Sequence, residues 1–157
     1  MDVKTICLQQ LTHLSTATIM GRNAPHKAVL LLAIMDLIEA GTLTTATVVL
    51  TPQLEEAFET EWKRFVGSPL VFKCKVATPY WHMQNEPFYT LCFNHGKTIQ
   101  TFKNTYSVAR LREDTFAILD PDLYSLMKDS DSRSELRNAL ISTYLLNLNS
   151  DLHSRNQ

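Results

Sequence analysis

The sequence predicts an α+β fold: a mainly helical single domain that carries a small antiparallel β-sheet or hairpin. Three observations lead there. Apolar residues recur at helical spacing toward both ends of the chain. A stretch rich in aromatic and β-branched residues lies between them. A length of 157 residues, 45% hydrophobic and 20% charged, suits one domain with a real core. The domain is expected over residues 1–146, with a polar tail over 147–157.

Asp2 is placed to cap a first helix, in which Val3, Ile6, Cys7, Leu11 and Leu14 recur at helical spacing. Residues 15–22, with Gly21, read as a connection. The basic, polar run Arg22-Asn23-Ala24-Pro25-His26-Lys27 then enters the most apolar segment, residues 28–40, which Gly41 closes. Proline suits a first helical turn, because its missing N–H has no partner to lose there. Glycine just past the last apolar residue is a stop signal. Apolar side chains cover nearly every face, so this helix is expected to be central and buried. His26 and Lys27 fall in its first turn. Free N–H groups and the positive dipole end favour an anion there and disfavour cations, unless something negative is present. The pattern points to a phosphate.

Residues 42–46 read as a loop and Val48-Val49-Leu50 as a short strand. Thr51 as cap and Pro52 at the first position open another helix, with Leu54, Phe58, Trp62 and Phe65 as its apolar stripe. Gly67-Ser68-Pro69 ends it. Residues 70–76, 80–84 and 88–93 are expected as strands, the last two forming a hairpin about Asn85-Glu86-Pro87. On such a strand Tyr80, His82 and Gln84 share one side. Trp81 and Met83 share the other and belong to the core, and Tyr80 and His82 fit core or surface alike. Pro79 is expected at the strand's start or edge, near solvent. A turn at residues 94–97 and a strand at 98–102 follow. Ser107 caps a short helix to Arg112, and Asp120-Pro121 opens another to residue 127 or 128. The capping box Ser132-Arg133-Ser134-Glu135 opens the last helix.

The formal net charge is −1, yet its distribution is uneven. Between Trp62 and Arg112 stand Lys63, Arg64, Lys73, Lys75, Lys97, Lys103, Arg110 and Arg112, against the single acid Glu86. That asymmetry suits a polyanion partner, or a solvated basic face. No apolar run approaches the roughly 20 residues of a membrane span. Met1-Asp2 does not open a secretory signal, and three cysteines without a CxxC read as reduced thiols in a cytoplasmic protein.

Few residues offer catalytic chemistry. Cys92-x-x-His95 has ligand-like spacing, but Cys74 and His82 form no matching pair, and two buried cysteines on adjacent strands are the simpler reading. There is no GxSxG, HExxH or Walker loop. His95 reads as a turn residue and the acids Glu55 to Glu61 as a solvated face. The expectation is no enzyme, no metal and no cofactor.

Four segments in order carry a resemblance: APHKAVLLLAIMDLIEAG at 24–41, TPQLEEAFETEW at 51–62, PYWHMQNEPFYTL at 79–91, and LDPDLYSLMKDSDSRSELRNALISTYL at 119–145. Together they resemble the sulfur-binding domain of phosphorothioate-dependent, McrA-like HNH restriction endonucleases. The resemblance implies a module of bacterial defence and type IV restriction. Such a module binds double-stranded DNA in which sulfur replaces a non-bridging phosphate oxygen. The family's HNH domain is absent from this chain, so the resemblance implies a stand-alone reader or an excised domain, does not imply cleavage, and makes a nuclease domain or subunit a candidate partner. The family's PHK motif falls on His26 and Lys27, after Arg22. Its Tyr-Pro pair falls on Thr78-Pro79, so the pocket tyrosine is missing, and Tyr80 is the candidate to replace it. A third element falls within Lys103, Asn104, Tyr106 and Ser107. His26 and Asn104 are candidates for base edges. Two other functions compete: a winged-helix-like module that reads sequence alone, and a protein-interaction domain of a defence complex.

Overall fold

Helix α2, His26–Glu39, is the axis around which the other elements pack. In the computed structural model, residues 1–19, 21–68, 72–103, 105–146 and 148 are described. The expected tail lies outside them, apart from Leu148, which packs against the core. Residues 28–35 of α2 are at most 1% exposed. Gly41 ends the helix at φ +77°, a left-handed conformation that glycine adopts without Cβ strain. The buried central helix is as the sequence predicts.

Helix α1, Val3–Thr12, is capped by Asp2, whose carboxylate accepts from the Thr5 N–H at 2.8 Å. Cys7 and Leu11 turn inward, but Val3 and Ile6 are exposed, so the buried stripe is narrower than the spacing suggests. Two short strands follow in place of a plain connection. They are β1, Thr18–Ile19, and β2, Arg22–Asn23, paired antiparallel across Gly21. Beyond α2 comes β3, Thr47–Val48, and then α3, Pro52–Phe65, capped by Thr51 as expected.

The aromatic middle folds differently from the strand reading. Residues 72–75 have no regular structure. Ala77–His82 is a short helix, α4, continued by a 3₁₀ turn at Met83–Asn85. The expected hairpin between 80–84 and 88–93 is therefore corrected. Val76, Tyr80 and Met83 are buried at a spacing of four and then three, which is a helical period. Aromatic residues favour strands only where they fit a half-buried pleated surface, and tertiary burial overrides that preference here. Pro79 sits in the first turn of α4, where its missing N–H costs nothing, and it is buried rather than near solvent.

Strand β4, Tyr89–Phe93, forms as expected, but its partner is β5, Thr115–Leu119, whose TFAIL sequence alternates inward and outward side chains. The sheet order is β3-β5-β4, all antiparallel, with Leu91 opposite Ala117 and Val48 also opposite Ala117. Residues 98–102 are not a strand. They form α5, Ile99–Phe102, held by a capping box between Thr98 and Thr101. Ser107 caps α6, Val108–Asp114, and Asp120 caps α7, Pro121–Lys128. Helix α8, Ser130–Leu140, starts before the expected capping box. Asp129 is its cap, and Ser132 lies buried inside the first turn with its N–H on the Asp129 carboxylate. A π-helical turn, Ile141–Leu145, follows, and the Tyr144 hydroxyl ties it to the Leu11 carbonyl of α1. The molecule is a mainly helical α+β domain with a small antiparallel sheet. Among the described residues no helix is long and apolar enough to cross a membrane.

Candidate functional site

The first turn of α2, the face of α4 and residues 15–17 enclose a cavity of about 330 Å³. Ala17 and Ala24 line one side, His26 and Lys27 a second, and Thr78, Pro79 and His82 a third. Thr78 and His82 are four apart on α4 and so share a face. Four of the expected site residues, His26, Lys27, Thr78 and Pro79, thus meet in one place.

Their states are set by the chain itself. The His26 ring packs on Trp62, with centroids 4.8 Å apart, and on Phe72. Its Nε2 lies 2.8 Å from the Lys73 carbonyl, which can only accept, so Nε2 carries a proton. Burial pushes the pKa of His26 down and the Lys73 carbonyl pulls it partly back. The imidazole is therefore neutral near pH 7.

Lys27 is buried, which a surface phosphate contact would not be. Its Nζ donates to Glu86 Oε2 at 2.6 Å and to the Ser15 carbonyl at 2.7 Å. The same carboxylate oxygen accepts from the Ser15 N–H at 3.0 Å. The negative charge that a cationic first turn calls for is thus supplied by Glu86. Together the three residues staple the 15–17 wall to α2 and to the turn after Asn85.

The other expected residues are distributed elsewhere. Tyr80 is fully buried on the core side of α4 and donates from its hydroxyl to the Val48 carbonyl at 3.2 Å. Burial pushes its pKa up to about 12. It cannot replace a pocket tyrosine at Thr78, and that expectation is corrected. Lys103 ends α5 in a left-handed conformation, φ +49°, and is exposed away from the cavity's described lining. Tyr106 stacks on Trp81, centroids 5.2 Å apart, and its hydroxyl meets His82 Nε2 at 3.0 Å. The Ser107 hydroxyl accepts from the Arg110 N–H as the cap of α6, and Ser107 borders a separate cavity of about 300 Å³. Asn104 and the side chain of Arg22 lie outside the described residues.

His82, Asn85 and the 15–17 wall are the parts that the strand reading missed. On a strand Thr78, Tyr80 and His82 share a side, whereas on the helix Thr78 and His82 keep a common face and Tyr80 turns to the core. Within the basic stretch 62–112, all three arginines are engaged within the chain: Arg64 on Glu61, Arg112 on Glu55 and the Leu50 carbonyl, and Arg110 on Thr105 and over the Phe102 ring. Lys73 and Lys75 are exposed on the segment that carries the His26 acceptor, with no ion pair among the described residues. Cys74, between them, is exposed in an irregular segment and not buried on a strand. Among the described residues no group of three or more His, Cys, Asp or Glu side chains is placed to hold a metal.

No protein-family model and no curated protein sequence matches the chain.

Proposed function

We propose that this domain binds double-stranded DNA carrying phosphorothioate linkages and reads the sulfur in the cavity between α2 and α4. The observation that carries the reading is the cavity's chemistry. A proline ring and two alanines line it beside a neutral imidazole, and its one ammonium group is already matched by a carboxylate. Sulfur is larger, softer and less strongly hydrated than a phosphate oxygen. Against the Pro79 ring and the two alanines a sulfur is seated cheaply, whereas an oxygen pressed there loses water and gains no hydrogen bond from that side. Specificity then rests on penalising the unmodified backbone. Exposed Lys73 and Lys75 supply salt-dependent affinity for either backbone. The resemblance in residues 24–41 and 79–91 supports the same reading. In it the protein is a cytoplasmic reader, and cleavage belongs to a nuclease domain or subunit.

The test is a fluorescence anisotropy titration of a duplex carrying phosphorothioate linkages against its unmodified twin. The modified duplex is expected to bind at least about tenfold more tightly, ~1.4 kcal/mol. Equal affinity sinks the sulfur reading, and strong sequence preference with equal affinity favours a module that reads bases alone. Pro79→Ala, which keeps α4 helical, should lower the modified-to-unmodified ratio and leave binding of the unmodified duplex nearly unchanged.

A further inference from the structure

His82 is an exposed histidine with a built environment. Its ring lines the cavity, and its Nε2 lies 3.0 Å from the Tyr106 hydroxyl. Tyr106 is itself fixed, because its ring lies nearly parallel to that of buried Trp81, at 13°, while meeting the His82 ring edge-on, at 89°. A surface imidazole would ordinarily rotate; this one is held. Nδ1 is the ring atom that has no partner among the described residues.

We propose that His82 contacts the bound DNA backbone, donating from Nδ1–H to a non-bridging atom, and that Tyr106 positions it by donating its hydroxyl proton to Nε2. The inference rests on the DNA-reading proposal and adds a contact at a residue not among the expected site residues. The dyad is self-consistent: a hydroxyl donating to Nε2 selects the tautomer that carries its proton on Nδ1. A backbone anion accepts that proton in a charge-assisted hydrogen bond.

A proton linkage follows. The titratable groups around the ring are Tyr106, Lys27 and His26 of α2, and Glu86, which pairs with Lys27. Burial and then the Lys27 charge hold the free His82 pKa below its ordinary value. An anion at Nδ1 raises it, and in the imidazolium Nε2–H donates to the Tyr106 oxygen, the hydroxyl then turning from donor to acceptor. The extra affinity is therefore absent above the bound-state pKa, grows as pH falls through it, and levels off below the free-state pKa.

The experiment measures binding of both duplexes from about pH 8 to about pH 6, across the range where imidazole titrates. His82→Ala should weaken binding about tenfold and flatten the wild-type pH profile. His82→Asn keeps a donor but does not titrate, so it should recover part of the affinity at high pH and still lack the profile. Tyr106→Phe should cost about threefold and blunt the profile, since the ring is kept and only its hydroxyl is lost. Wild-type affinity and profile in His82→Ala overturn the proposal. If wild type binds both duplexes equally, the sulfur reading fails, while a His82→Ala loss on both still upholds the contact. If no duplex binds, both fall. Unchanged thermal melting of the variants separates contact from folding, and His82→Asn carries the test if His82→Ala does not fold.

Discussion

Helix α2 carries a paired charge toward both ends, buried at the start and half-buried near the end, and the two ends are built differently. At the start, Lys27 and Glu86 form a one-to-one pair with side chains 8% and 4% exposed. Near the end, Arg137 of α8 bridges Asp36 of α2 and Glu61 of α3, at 2.8 and 3.1 Å, and Arg64 also meets Glu61. The first pair has no substitute partner and borders the cavity. The second is a network that docks one helix onto two others, far along α2 from the cavity. The same device sets the shape of a site in one place and fixes layer packing in the other. Buried pairs contribute little net stability over apolar packing, but removal of one member exposes the full cost of the other.

Five variants break or sharpen that contrast. Lys27→Ala leaves Glu86 buried and unmatched, and should cost about 3–5 kcal/mol in urea unfolding. The paired change Lys27→Met with Glu86→Leu should recover most of that stability while altering binding, because the Ser15 N–H and carbonyl lose their partners. Wild-type stability in Lys27→Ala would remove the staple from the account. Arg137→Met is milder, about 2–3 kcal/mol, since Glu61 keeps Arg64, and it should leave the ratio of modified to unmodified binding untouched.

Lys73→Ala with Lys75→Ala should not affect folding. It should weaken both duplexes alike and make the slope of log affinity against log salt shallower by about 2. A loss confined to the modified duplex would place these lysines in discrimination and not in general attraction.

The smallest effect is at Asp36. Burial, then the nearby Glu61 charge, push its pKa up to about 6, against an ordinary 3.8, despite Arg137. The folded state then binds more protons than the unfolded state between those values. Its contribution to stability therefore rises as pH falls through about 6 and levels off below the unfolded value. Thermal melts of wild type and Asp36→Asn should converge at low pH, where a protonated Asp36 resembles asparagine, and separate as pH rises through about 6, wild type losing stability. A pH-independent difference would show that Asp36 stays ionised.

Local chemistry made much of the fold legible. Asp2, Thr51-Pro52, Ser107 and Asp120-Pro121 each mark a helix start, because a side-chain acceptor or a missing N–H acts within one turn. The all-apolar face of α2 needed no partner to be recognised as buried. Where two local signals competed, distant contacts decided. Ser132 and Asp129 both offer a cap, and Asp129 is used while Ser132 is buried. Tyr80-Trp81-His82 has strand-like composition and helical burial. Tyr80 is expected in the pocket only as the stand-in for the tyrosine missing at Thr78, whereas the helix buries it in the core and sets His82 on the cavity. His26, Lys27, Thr78 and Pro79 were found through motif resemblance. The Lys27–Glu86 pairing was not legible, because 59 positions separate its members and no periodicity links them.

Residues 28–35 of α2 have no solvent side. A segment closed all round cannot fray outward, so its amide protons exchange with water only when the whole domain opens. The staple of Lys27, Glu86 and Ser15 hangs from the first turn of that segment. The cavity wall is therefore anchored to the slowest-opening part of the molecule. A ligand entering it meets a mould that was cast during folding, and it has little to rearrange before it fits.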